Sequence, residues 1–228
     1  MTGPRPLSRH GNAPSPALPT GQSPCLVAIA GPSCSGKTEL ARRLCALLPE
    51  FSPVHFPLDG YYHDLSGLPP DAAERHNFDR PDSLDAPLLR EHLRALARGE
   101  AVARPQYDYA THRRTGAVRT GPGRLIVVEG LFALFWEELL PLYALTVFVD
   151  LDDAACLRRR LVRDRAERGA SEAFTRRQWA AHVRPMAERF VRPTRARAAL
   201  VLDGAAPPDE IAAQAAEAVR RLPRLPGI

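Results

Sequence analysis

Residues 31–38 read Gly31-Pro32-Ser33-Cys34-Ser35-Gly36-Lys37-Thr38, and Lys37 is the one lysine in a chain with 31 lysine and arginine side chains. The run fits the pattern G-x-x-x-x-G-K-[ST]. It follows a strand-length apolar run, CLVAIA at 25–30. It precedes a helical stripe at Leu40, Ala41, Leu44, Leu47 and Leu48, which Pro49 ends. Between a strand and a helix, Gly31 and Gly36 let the backbone fold into a nest of N–H donors around a phosphate, and the helix aims its positive end at the same anion. Lys37 can reach β- and γ-phosphate oxygens as a compact point charge, where the planar fork of arginine fits badly. That accounts for a single lysine in a chain that otherwise uses arginine. Thr38 offers its hydroxyl to a Mg²⁺ ion. The whole run, Gly31, Pro32, Ser33, Cys34, Ser35, Gly36, Lys37 and Thr38, is the candidate cradle for nucleotide phosphates.

Outward from this loop, short apolar strands alternate with helical patterns. SPVHFPLD (52–59) places Val54, Phe56 and Leu58 on one side of a second strand. RLIVVEG (124–130), ALTVFVD (144–150) and AALVL (198–202) supply a third, fourth and fifth. Helices are expected at 38–48 and at 85–98, the latter with Asp85 as N-cap and Gly99 as stop. Further helices are expected in the LFALFWEELLPL run (131–142), at 152–168 before Gly169, at 171–190 with a bend near Pro185, and at 207–221. The alternation predicts an α/β fold of the P-loop NTPase kind, a five-stranded parallel sheet flanked by helices, with ligands beyond the carboxyl ends of the strands. Residues 1–24, rich in Pro, Gly, Ser and Ala, read as a disordered leader; 25–222 read as a single P-loop domain and 223–228 as a tail.

Composition narrows the class. Hydrophobic residues make up 45% and charged residues 25%, ordinary globular usage. No apolar run approaches the roughly 18 residues of a membrane span. The four cysteines, Cys25, Cys34, Cys45 and Cys156, show neither CxxC pairs nor zinc-site spacing, which predicts reduced thiols in a cytoplasmic protein. A net charge of +5 predicts an anionic partner. Thirteen arginines lie between Arg158 and Arg197, against four acids. Two carboxylates fall at strand ends. Asp59 could accept the proton of an attacking hydroxyl while lying near a metal. Glu129 ends a buried strand, an expensive place for an unpaired carboxylate, which predicts a cation beside it.

With the loop at 31–38, LDGYYHD (58–64), NFDRPDSLD (77–85), YDYATHRR (107–114), VVEGLF (127–132), LVRDRAERG (161–169) and RPTRARA (192–198) in this order, the chain resembles the uridine kinase and phosphoribulokinase family. The likeness spans about residues 25–205 and is strongest to the uridine–cytidine kinases. NFDRPDSLD and YDYATHRR are the specific parts. The resemblance implies transfer of the γ-phosphoryl group of ATP or GTP to the 5′-hydroxyl of uridine or cytidine, with Mg²⁺. It implies Asp59 as catalytic base and neighbour of the metal, beside the Lys37, Thr38 and Glu129 already singled out from the residues. Tyr62 and Asp79 match substrate contacts, Asp79 accepting from the ribose hydroxyls; Tyr107 and His112 match residues that face the base; Gln178 matches a further substrate contact. Arg160 and Arg163 fall in what would be an Arg-rich lid at about 152–170. There guanidinium groups would hold phosphate oxygens, and mutual repulsion would keep the lid open until an anion arrives. A homo-oligomer without nucleic-acid or membrane partners is also implied.

Three positions depart from the family pattern. Ala170 stands where a substrate-side arginine is usual, Ala199 where an aspartate is common, and Leu58 where a glutamine usually precedes the base. LDGYY also lies part-way toward the DGF-type sequences of pantothenate-kinase-like relatives. Two other readings therefore stay open: a kinase of the same family acting on pantothenate or a sugar phosphate, and an Arg-rich nucleic-acid-binding P-loop protein. Against the second, no basic stripe interleaved with aromatics is present.

Overall fold

The computed structural model describes residues 23–69 and 76–223; the expected leader and tail lie almost wholly outside the described residues. β1 (Cys25–Ala30) is buried along its whole length and runs into the phosphate-type loop and α1 (Lys37–Leu47). β2 (Val54–Pro57), α2 (Ala86–Ala97), β3 (Val102–Asp108) and β4 (Arg113–Thr120) follow. β5 (Leu125–Glu129), β6 (Tyr143–Asp150), α3 (Asp153–Arg168), α4 (Glu172–Gln178), β7 (Leu200–Asp203) and α5 (Pro208–Arg220) complete the order. Five strands form one parallel sheet in the order β2-β5-β1-β6-β7, as the alternation of strands and helices predicts. Alternate residues of the central strands fill two cores. Leu26, Ala28, Phe56, Ile126, Val128 and Phe148 pack with α2 on one face; Val27, Ile29, Val127 and Val149 pack with α1 and α5 on the other. No helix among the described residues is long and apolar enough to cross a membrane.

Side chains start the helices where the sequence predicts. Asp85 accepts from Leu88 N (3.2 Å), Asp152 from Ala155 N (2.8 Å) and Ser171 from Phe174 N (3.2 Å). Three features differ from expectation. β3 and β4 form a separate antiparallel hairpin; neither strand has a continuous buried face, so no period-two signal marks them. The run at 131–142 contains turns and a 3₁₀ segment, Glu137–Leu142, rather than an α-helix; Pro141 inside it cannot donate to an α-helical ladder. The expected helix at 171–190 is helical throughout but opens into π turns at Trp179–Val183 and Ala187–Val191, on either side of a short stretch holding Pro185.

Candidate active site

The carboxyl ends of β2, β5 and β1 lie side by side in the parallel sheet, and the segments beyond them divide into a phosphate side and an acceptor side. On the phosphate side, Gly31 has φ +155° and a Cβ on it would lie 2.5 Å from the Val149 carbonyl oxygen. Gly36 (φ +110°) is the N-cap of α1, and Cys34 also adopts a left-handed conformation. Three positive-φ residues within six give the loop the kind of curl that lets successive amides turn toward one anion. Arg159 of α3 braces this curl from behind, donating to the carbonyls of Ser35 (3.1 Å) and Gly204 (2.8 Å). Arg160 donates to Ser33 Oγ (3.1 Å).

The arginines of α3 do not simply repel. Asp164, 4% exposed, gathers Arg163 (2.7 Å), Arg160 (3.2 Å) and Arg168 (3.9 Å). An internal carboxylate thus offsets the repulsion that the composition alone suggests. Ala170 completes the end of α3, its amide donating to the Asp164 carbonyl (3.1 Å). Leu58 is core, packed so closely on Gly130 that a Cβ there would lie 2.8 Å from its own.

Between the two sides lie the carboxylates. Thr38 Oγ1 donates to Glu129 Oε2 (3.1 Å), and His55 Nε2 lies 3.5 Å from Glu129 Oε1. Burial disfavours the charged Glu129, but His55, Lys37 and Thr38 outweigh it and hold the carboxyl below the usual range. Asp59 moves the other way: burial raises it, the nearby Glu129 charge adds to that, and Tyr109, Lys37 and Arg163 pull it back. Burial likewise raises Asp79, against Arg160, His182, Lys37 and Arg163. Lys37 and Arg163 therefore act on both aspartates. Two carboxylates beside one hydroxyl make an all-oxygen donor set, the chemistry that suits Mg²⁺. With no cluster of three or more His, Cys, Asp or Glu among the described residues, phosphate oxygens and water would complete the shell.

The acceptor side is an aromatic box. Tyr62 meets Phe78, Tyr107 and Tyr109 at centroid distances of 5.4, 5.5 and 6.0 Å, and Phe78 stacks on His112 at 5.0 Å. The segments are tied by Arg114, which donates to the carbonyls of Tyr62 (3.0 Å) and Tyr61 (3.1 Å) and pairs with Asp85 (3.2 Å). A bridge between Tyr62 and Leu84 joins LDGYY to NFDRPDSLD. Gly60 is required here by close approach, since a Cβ on it would lie 2.2 Å from the Pro105 carbonyl oxygen. Two polar atoms in the box are shielded from solvent without a hydrogen-bond partner among the described residues: Tyr107 OH and His112 Nδ1.

Charge interactions thus link Lys37, Asp59, Asp79, Glu129, Arg160 and Arg163 of the expected set, Tyr62 lies in the field of Asp59, Asp79 and Tyr107, and His112 joins that group through Phe78. Gln178 ends α4 at the first π turn and makes no side-chain hydrogen bond with the described residues. Sequence reasoning passed over Phe78 and Tyr109, which sit inside the two specific motifs, and Asp164, inside LVRDRAERG. It also passed over Arg168, whose guanidinium lies 5.3 Å over the Tyr109 ring, and His182, which the π turn brings into the field of Asp79. Nothing local in the sequence marks a π turn.

Comparison with known proteins agrees with this architecture. A sequence model of the Phosphoribulokinase / Uridine kinase family matches residues 26–209. A uridine kinase of Chloroflexus aggregans is 41% identical over 183 residues, 80% of this chain and 88% of that protein. A uridine kinase of Deinococcus deserti is 39% identical over 180 residues, 78% of this chain and 87% of that protein. The phosphoribulokinase of Rhodobacter spheroides superposes with a TM-score of 0.59 over 77% of this chain and 68% of that one; at 13% identity the likeness is one of fold. The chain belongs to the phosphoribulokinase/uridine kinase family.

Proposed function

We propose that this chain transfers the γ-phosphoryl group of ATP or GTP to the 5′-hydroxyl of uridine or cytidine. The observation that carries the reading is the aromatic box with its two shielded, unpartnered polar atoms, Tyr107 OH and His112 Nδ1. A flat ring with a hydrogen-bonding edge answers both features at once. Neither pantothenate nor a sugar phosphate has such a ring. The names of the relatives at about 40% identity support the same acceptor.

The roles follow from position. The pyrimidine lies among Tyr62, Phe78 and Tyr107 and turns its polar edge to Tyr107 and His112. Asp79 accepts from the ribose hydroxyls and so aims the 5′-oxygen at the cleft. Asp59 accepts the 5′-hydroxyl proton as that oxygen bonds to the γ-phosphorus; the bond to the bridging oxygen breaks, and the nucleoside diphosphate leaves with its electron pair. The loop amides and Lys37 hold the β- and γ-phosphates, and Arg160 and Arg163 meet the charge on the transferring group. Thr38, Asp59 and Glu129 would hold Mg²⁺, which supplies charge neutralisation on the β- and γ-oxygens when bound. Segment 152–170 serves as the lid, and the working form is a homo-oligomer, a state that light scattering would check. A coupled ADP-release assay across uridine, cytidine, pantothenate and ribulose 5-phosphate tests the reading. Turnover of the two nucleosides alone is expected, and preferential turnover of either other compound would replace it.

A further inference from the structure

β2 carries a histidine where its packing calls for an apolar side chain. Val54 and Phe56 point into the core on the α2 side of the sheet. His55 points to the opposite face, where its register partner on β5 is Val127, a member of the aliphatic core beneath α1. The His55 side chain is 27% exposed, yet Nε2 itself is shielded from solvent and has no aligned hydrogen-bond partner. The group it approaches is the Glu129 carboxylate, whose Oε1 lies at 3.5 Å while Oε2 receives Thr38 Oγ1 at 3.1 Å. Among the described residues His55 makes no other ion pair. A shielded N–H beside one oxygen of a carboxylate, with a hydroxyl on the other oxygen, fixes the plane of that carboxylate.

We propose that His55 is a positioning residue for the cation cradle: as its Nε2–H tautomer it faces Glu129 Oε1 at 3.5 Å and by that polar contact holds the carboxylate turned toward Thr38 and the metal. It acts through Glu129 and touches neither nucleotide nor acceptor. Partners of this kind orient metal-ligating side chains, and their loss weakens metal binding by about 10- to 100-fold. The proposal rests on Glu129 belonging to the cradle and is independent of which acceptor is phosphorylated.

The test is Mn²⁺ binding to the full chain with a non-hydrolysable ATP analogue, followed by the electron paramagnetic resonance signal of free Mn²⁺. His55→Phe keeps a ring and removes the donor; about tenfold weaker Mn²⁺ binding is expected, with the KM for uridine unchanged. His55→Gln returns an N–H donor and should recover most of the affinity. Should His55→Phe fail to fold, His55→Leu takes its place, and the contrast with His55→Gln decides. Wild-type Mn²⁺ affinity in the donorless variant would overturn the proposal, as would His55→Gln binding no better than His55→Phe. Glu129→Gln is the control: unchanged Mn²⁺ affinity there would remove the cradle and the proposal with it, whereas failure of the acceptor assay would leave both standing.

Discussion

The phosphate side and the acceptor side of the cleft are built by opposite means. The first is one unbroken run, Gly31–Thr38, whose left-handed residues shape it locally and whose back is braced by Arg159 on the Ser35 and Gly204 carbonyls. The second draws Tyr62, Phe78, Tyr107 and His112 from three separated stretches, held together by Arg114 and by the close pass of Gly60 under Pro105. A contiguous loop carries its geometry in its own backbone torsions. A dispersed box carries it in contacts between segments. Damage to the first should strike the chemical step, and damage to the second should strike acceptor binding.

The largest effect is expected where the two sides meet. Asp59→Asn keeps shape but cannot take a proton, so kcat should fall by about 10² to 10⁴; an intact kcat would put the base elsewhere. Next is Lys37→Arg, which retains charge but loses the compact reach to the phosphates. A kcat loss of about 10² is expected, measured in single turnover, and near-normal turnover would erase the distinction drawn for this loop. On the acceptor side, Asp79→Asn should raise the KM for uridine by about tenfold, the scale of a lost charge-assisted hydrogen bond, with a smaller change in kcat. The penalty for 2′-deoxyuridine should shrink in that variant; a penalty that persists would mean Asp79 does not read the ribose. The smallest effect belongs to Tyr107→Phe. It removes a hydroxyl with no partner among the described residues, so KM should rise by about two- to tenfold while the thermal midpoint stays put. A lowered midpoint would show the hydroxyl to be structural.

This contrast also explains what could be read from the residues alone. The loop, its strand and its helix were legible because each rests on neighbours in sequence: glycines at fixed offsets, an apolar run, a periodic stripe. The parallel strands were legible for the same reason: β1 and β5 are short runs buried on both faces, and β2 alternates Val54 and Phe56 inward. The β3–β4 hairpin was not, since β4 is largely exposed and β3 carries Arg104 and Pro105 where a half-buried strand would alternate. The arginines of α3 could be counted, but the carboxylate that gathers them could not be told from other acids. Asp164 becomes the hub only because the helix buries it. His182 and Tyr109 reach the aspartates through a π turn and a hairpin tip, neither of which has a local signature.

The central claim is that the acceptor side presents the 5′-oxygen of a pyrimidine nucleoside to the phosphate side. Phosphorus nuclear magnetic resonance of the product from uridine and ATP tests it most directly, because a phosphate on the 5′-oxygen couples to the two 5′ protons. A single monoester resonance that splits into a triplet without proton decoupling is expected. A doublet from a 2′- or 3′-ester, or no monoester at all, would contradict it.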